Sequence, residues 1–281
     1  MFTFAKIYAL LYVAIKKLLG KNMRGLGFIL RCVPSDHIFE VAGRRMWFNH
    51  KVAATYGTLI ASRWQEPETH SILSAIIVAL NKRAVAFVDV GANVGEMMID
   101  IGRYKHVTVY GFEPSEECCR AIERSLLANR DKNSKIYNKL VGDSVCQMPF
   151  NEGANVNAAS VLSMQSASSS KHAEQTTLDY ELSLPEEHIV MLIDVEGYEP
   201  QVLRGGIQLI KQKRPLIIFE YNFVSKQHFS IADIQNILGA DYKIFRLRRD
   251  VKLDSDVENA WNCVAIPNGS VYQEILRNRT M

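Results

Sequence analysis

Long apolar runs are scarce in this 281-residue chain, and their scarcity excludes an integral membrane protein read from hydropathy. A bilayer-spanning helix needs about 20 apolar residues. The run Ile7 to Ile15 offers nine, and no small-residue cleavage site follows before Lys16, which argues against a secretory signal. Cysteine is scarce too: Cys32, Cys118, Cys119, Cys146 and Cys263 form no Cys-x-x-Cys pair and no Cys/His ligand spacing. That pattern excludes a zinc ribbon or a disulfide framework and leads us to expect a reducing, cytoplasmic setting. Excess charge of one sign is also lacking. Lys and Arg total 33 against 30 Asp and Glu, and +3 is too little for a nucleic-acid footprint.

The first 65 residues stand apart in pattern, so we expect an N-terminal extension over 1–65 and one larger domain over 66–281. Lys6, Lys16, Lys17, Lys21 and Arg24 flank the apolar run. An interfacial helix with lysines toward lipid headgroups would look like this. So would a helix packed on the domain or on a second copy of the chain, and we favour the latter. Phe39 to Trp47 reads as a hairpin around Ala42-Gly43, and Val52 to Arg63 as an irregular connection. Glu66-Pro67-Glu68 has the form of a helix start, with Ile72, Leu73, Ile76, Ile77 and Leu80 on one face.

From there strand and helix alternate: strand 86–90, helix 94–103, strand 107–112, helix 115–129 and a strand near 136–141. Ile189 to Asp194 and Pro215 to Glu220 continue the strands, and Ile231 to Leu238 is a helix. Tyr242–Leu247 and Asn262–Ile266 close the sheet as an antiparallel pair. The fold expected is α/β, Rossmann-like, with seven mostly parallel strands, one reversed, plus the N-terminal helical and hairpin elaboration. Met148 to Gln175 breaks the alternation with Asn-, Ala- and Ser-rich sequence, which reads equally as a hairpin over the crevice or a solvated loop.

Three constellations carry chemistry. In Phe87-Val88-Asp89-Val90-Gly91-Ala92-Asn93-Val94-Gly95 an apolar strand bearing one carboxylate runs into a Gly-containing turn and a helix. Nucleotide-type ligands bind at such a junction. A dinucleotide fingerprint needs glycine two and five positions after Gly91, where the chain has Asn93 and Glu96. This disfavours an NAD-dependent oxidoreductase, and the spacing suits a ligand with an ammonium and no pyrophosphate, S-adenosylmethionine. The second strand ends in Glu113-Pro114, 22 residues past Gly91, where an acid accepts the ribose hydroxyls. The third is Ile193-Asp194-Val195-Glu196-Gly197-Tyr198-Glu199. In extended geometry Asp194 and Glu196 share a side, fit to receive a proton or to complement a cation. Glu199 reads instead as the first turn of a helix. His188, at the far end of that strand, is expected on the surface, and His172 is a minor candidate to reach the crevice. A divalent ion held by Asp194, Glu196 and Glu220 would serve the same end, but no spacing compels one and none is expected.

These segments, with Thr177-Leu178-Asp179 and Val202-Leu203-Arg204-Gly205-Gly206, resemble the FkbM-type S-adenosylmethionine-dependent methyltransferases over roughly Glu66 to Pro267. The resemblance implies O-methylation of a hydroxyl on a sugar, glycan or secondary metabolite. It implies Asp89, Gly91, Ala92, Asn93, Gly95, Glu113 and Pro114 at the cofactor, Asp143 at the adenine amine, and Asp194 and Glu196 at the reactive end. Where the family commonly has Lys two residues before the acid of the fourth strand, this chain has Leu192. Two other functions stay open: a catalytically silent cofactor-binding partner protein, or an RNA or protein methyltransferase. Lys243, Arg246, Arg248 and Arg249 would serve the RNA reading, although a charged sheet edge explains them more simply.

Overall fold

The computed structural model describes residues 37–48, 58, 63–150 and 171–280; the apolar run at 7–15, Cys32 and the Ser-rich stretch lie outside them. Their centre is β3 (Val85–Val90), buried at all six positions. Such a strand must be covered on both faces, which is why its sequence is continuously apolar rather than alternating. On one side it pairs in parallel with β4 (Val107–Phe112), and β4 with β5 (Ser134–Tyr137). On the other it pairs in parallel with β9 (His188–Ile193), and β9 with β10 (Leu216–Glu220). β13 (Asn262–Pro267) then runs antiparallel beside β10, with β11 (Tyr242–Leu247) beyond it. These are the seven strands expected. A two-residue eighth, β12 (Leu253–Asp254), pairs antiparallel at the edge.

Side-chain alternation divides the core into two layers. Val85 and Phe87 pack on one side with α1 (Pro67–Ala79), α2 (Glu96–Ile101) and α3 (Glu116–Asn129). Ala86, Val88 and Val90 pack on the other with α4 (Leu178–Glu181), α5 (Glu199–Gly205), α6 (Ile207–Lys213) and α7 (Ile231–Leu238). The apolar stripe of α1 is buried as its spacing requires: Ile72, Leu73, Ile76, Ile77 and Leu80 have no exposed surface. The hairpin β1–β2 (His37–Val41 and Arg44–Phe48) turns at Ala42-Gly43, both at positive φ. It lies on α3, where the Trp47 N–H donates to Ser125 Oγ and the Arg45 N–H to Asn129 Oδ1.

Three expectations change. The strand expected near 136–141 is two elements, because β5 stops at Tyr137 and Asn138 turns the chain. Its Nδ2 donates to the Glu113 and Pro114 carbonyls at 3.0 and 2.9 Å. β6 (Leu140–Val141) belongs to a separate three-stranded sheet with β7 (Cys146–Phe150) and β8 (Lys171–Thr176). β7 and β8 form an antiparallel ladder from Cys146↔Gln175 to Phe150↔Lys171, so the break in alternation is flanked by a hairpin. His188 is buried rather than on the surface. A helix not foreseen, α8 (Val271–Leu276), covers it: Tyr272 meets its ring edge-on at 6.4 Å and donates to the Ile189 carbonyl at 2.8 Å. No helix among the described residues is long and apolar enough to cross a membrane.

Candidate functional site

Sheet register builds the site. Val90 pairs with Phe112 on one side and Ile193 on the other, and Ile193 pairs with Phe219. The next residues along these four strands are Gly91, Glu113, Asp194 and Glu220, which therefore stand in one row at the carboxyl ends. Strand order reverses between β3 and β9, so a crevice opens beyond this row. Alternation adds a second rule. Phe87, Leu192 and Ile218 face the layer of α1 and α2, so Asp89, Asp194 and Glu220, two residues on, lean the same way.

Gly91 lies at φ +85°, and a Cβ there would run into the Asp194 carbonyl oxygen. Glycine is thus required for β3 to pass this close to the loop after β9. The turn is drawn toward Glu113, whose Oε2 accepts the Asn93 N–H at 2.9 Å while Oε1 accepts the Ser115 N–H at 2.8 Å. A carboxylate is an acceptor-only group with about four acceptor positions, the type of group that ribose hydroxyls need. Gly95 caps α2 at φ +78°, and a Cβ would come within 2.8 Å of Ile122 Cγ1, so it lets α2 pack on α3; it stands outside the lining of the crevice itself.

The crevice has two lobes that meet at Gly91, Asn93, Asp194 and Glu196. The first is flanked by Phe112, Glu113, Pro114, Leu140, Val141 and Tyr198. Asp143, expected at an adenine amine, is exposed and outside this lining, because β6 has left the main sheet and presents Leu140 and Val141 instead. The second lobe, a cavity of about 570 Å³, is lined by Glu66, Asp89, Glu96, Asp194, Glu196 and Glu220 and, among the described residues, by no Lys, Arg or His. Ala92 and Leu192 are among its apolar walls. Phe223 and Trp261, 69% and 51% exposed, stand on the same cavity.

Asp194 and Glu196 do converge, though not by the extended geometry expected. β9 ends at Ile193, and Glu196 and Gly197 adopt positive φ (54° and 103°). Glu199, buried, accepts the Val195 N–H at 3.2 Å and begins α5, so it serves the loop. His172 is exposed on β8, outside both lobes.

Burial raises the carboxyls of Asp89, Glu96, Asp194, Glu196 and Glu220. Desolvation pushes Asp89 up to about 7 against one stabilising bond from the Met98 N–H. Glu96 also rises to about 7, chiefly by desolvation, although the Gln65 N–H donates to it. Asp194 is held well above the usual carboxylate range by desolvation and by Glu220 beside it. Glu220 is pushed to about 8 by desolvation and then by Glu196. Such a lobe stabilises positive charge and holds carboxyls near the pKa that proton transfer at neutral pH favours.

Glu66, Glu96, Phe223 and Trp261 were not anticipated. Glu66 and Glu96 read as helix starts, which they are; their second role depends on α1 and α2 aiming their N-termini at one lobe. Trp261 arrives because antiparallel β13 enters the sheet where the parallel strands leave it, with Asn262 opposite Glu220.

The family model of the methyltransferase FkbM domain matches residues 89–244. No curated protein matches the sequence. Among solved structures, the methyltransferase FkbM from Methylobacillus flagellatus KT is 18% identical, covering 75% of this chain and 52% of that one, at a TM-score of 0.47. This chain thus spans about half that protein's length. A rRNA methylase from Streptococcus thermophilus is 10% identical over 73% of this chain and 98% of that one, at a TM-score of 0.42. TYW2 from M. jannaschii, in complex with AdoMet, is 13% identical over 87% of each, also at 0.42.

Proposed function

The chain belongs to the FkbM methyltransferase family, and from that premise we propose that it is an S-adenosylmethionine-dependent O-methyltransferase acting on a hydroxyl of a small molecule or glycan. The observation that carries this reading is the second lobe, where six carboxylates converge with no basic residue among the described ones. When bound, S-adenosylmethionine supplies a methyl group already activated on a positively charged sulfur. The chain's task is then to bind, align and exclude water, worth several powers of ten.

Glu113, on the wall of the first lobe where β4 ends, takes the ribose hydroxyls. The apolar walls at Phe112, Leu140 and Val141 suit a base ring. Asp89 attracts the positive end of the ligand, because its buried Oδ2 has no hydrogen-bond partner among the described residues. Asp194 and Glu196, at the junction of the lobes, draw the proton from the acceptor hydroxyl, a role typically worth roughly 10²–10⁴-fold. Phe223 and Trp261 give the acceptor an apolar face to lie against. At the charged edge Arg246 pairs with Asp254 at 2.5 Å and Arg248 with Asp250 at 3.2 Å, which favours a charged sheet edge over RNA contact for these two.

Calorimetry tests the donor, and release of S-adenosylhomocysteine over a panel of hydroxylated metabolites tests the acceptor. Donor binding that Glu113→Ala weakens about 10-fold or more is expected. Equal binding by wild type and variant, or methylation of amines and not hydroxyls, would overturn the reading.

A further inference from the structure

The acidic lobe gathers more carboxyl groups than the positive end of a methyl donor can pair with. S-adenosylmethionine carries a sulfonium, an ammonium and a carboxylate, for a net charge of about +1 at neutral pH. Six carboxylates line the lobe. Three of them form a closer group: one oxygen each from Asp194, Glu196 and Glu220 lie within 4.8 Å of one another. We propose that Asp194, Glu196 and Glu220 bind a hard divalent cation of the Mg2+, Mn2+ or Ca2+ kind beside the acceptor position.

Two further observations point to a missing positive partner. Glu220 is only 4% exposed, and its Oε2 has no hydrogen-bond partner among the described residues. A buried carboxylate oxygen in that state forfeits its hydration without return, a cost of kilocalories per mole. Asp89 Oδ2, on the same lobe, is also buried and unpartnered, so the deficit is a property of the cavity. Neither Lys, Arg nor His among the described residues forms an ion pair with any of the three.

The geometry suits the ion class. Oxygens 4.8 Å apart can lie across an ion at about 2.4 Å from each, within the calcium range, and a small inward shift brings them to magnesium distances. All-oxygen donors select hard cations over zinc or copper. Three ligands from protein leave about three of six positions for water and for an acceptor oxygen. The strands supply the rigidity, since Asp194 follows β9 directly and Glu220 ends β10, its neighbour in register. The site itself is independent of what is methylated. Its use in catalysis rests on the methyl-transfer reading above, in which a cation would lower the pKa of a hydroxyl it touches, and the three carboxylates would act through it.

The test uses the full chain. Mn2+ is titrated in and followed by the EPR signal of the free ion, with S-adenosylhomocysteine binding measured by calorimetry on the same preparation. One Mn2+ per chain is expected, with Kd below about 1 mM, displaced by Mg2+ or Ca2+. Glu220→Gln should weaken it at least about 10-fold. Glu196→Gln, at a half-buried position, repeats the test should Glu220→Gln fail to fold. Failure to bind Mn2+ at about 10 mM, by a chain that binds S-adenosylhomocysteine, would overturn the cation site and leave methyl transfer standing. Binding that neither variant weakens would overturn these ligands. A chain that melts cooperatively yet binds neither probe would overturn both readings.

Discussion

Asp89→Asn should stabilise the ligand-free protein at alkaline pH and weaken its hold on the donor. Asp89 is 2% exposed, has one oxygen without a partner, and is pushed by desolvation from 3.8 to about 7. A carboxyl raised in the folded state is held protonated there. The folded protein therefore incurs no penalty below about pH 4 and loses stability as pH climbs toward 7, after which the loss is constant. A shift of about three units corresponds to up to roughly 4 kcal/mol. Asparagine removes the charge and keeps the acceptor for the Met98 N–H, but its NH₂ group is left buried, costing about 1–3 kcal/mol. The net gain at pH 8.5 is about 1–3 kcal/mol, or roughly 2–4 °C per kcal/mol for a domain of this size. At pH 4 the gain should vanish, because aspartic acid is then neutral too and only the amide's cost remains. Donor affinity should fall about 10–100-fold, since a charge-assisted contact is worth about 1.5–3 kcal/mol. Melts of both proteins at pH 4 and 8.5, with calorimetry for S-adenosylhomocysteine at pH 8.5, provide the check. A variant less stable than wild type at pH 8.5 by as much as at pH 4 would refute the claim that Asp89 carries uncompensated buried charge.

Glu113→Ala removes the acceptor of the Asn93 and Ser115 N–H groups. It should lower the melting temperature by several degrees and donor affinity about 10-fold or more, at roughly 1–3 kcal/mol per orphaned group. A 2′-deoxy donor analogue should then bind wild type more weakly than the natural form but bind the variant equally, and calorimetry reads the difference. Gly91→Ala forces a Cβ into the Asp194 carbonyl at a positive φ. Loss of cooperative unfolding, or a drop of more than about 3 kcal/mol by urea titration, is expected. Trp261→Ala should raise KM for the acceptor several-fold and leave the donor Kd within about two-fold, because the residues assigned to the donor's ribose and base line the other lobe. Tyr272→Phe deletes a buried hydroxyl bonded to the Ile189 carbonyl and should cost about 1 kcal/mol in a thermal melt.

Much of the fold follows from local pattern. The buried strands at 85–90 and 188–193 read as continuous apolar runs because a parallel strand is covered on both faces, and α7 and β11 carry their expected boundaries. The turn at 91–95 was equally legible, since Gly91 and Gly95 both sit at positive φ. Elements that depend on distant partners were not. The break after Tyr137 requires Asn138 to find the Glu113 and Pro114 carbonyls, and α8 gains its stability from Ile189, more than 80 residues earlier. The hairpin of β7 and β8 reads as a lapse because its pairing lies across an intervening segment.

For the site the division has one physical cause. Sequence by itself determined which residue types end each strand: Asp89 before Gly91, Glu113 after Phe112, Asp194 after Ile193 and Glu220 after Phe219. Each follows from where a hydrophobic run stops and a turn begins. Tertiary structure alone decided that these ends stand level, because register between strands is fixed by hydrogen bonds across the sheet and not along the chain. It also decided that Glu66 and Glu96, legible only as helix starts, turn toward the same cavity, and that Asp143 stays outside it. Charge in a cavity is a sum over neighbours in space. A linear chain lists the terms, and only folding sets the distances between them.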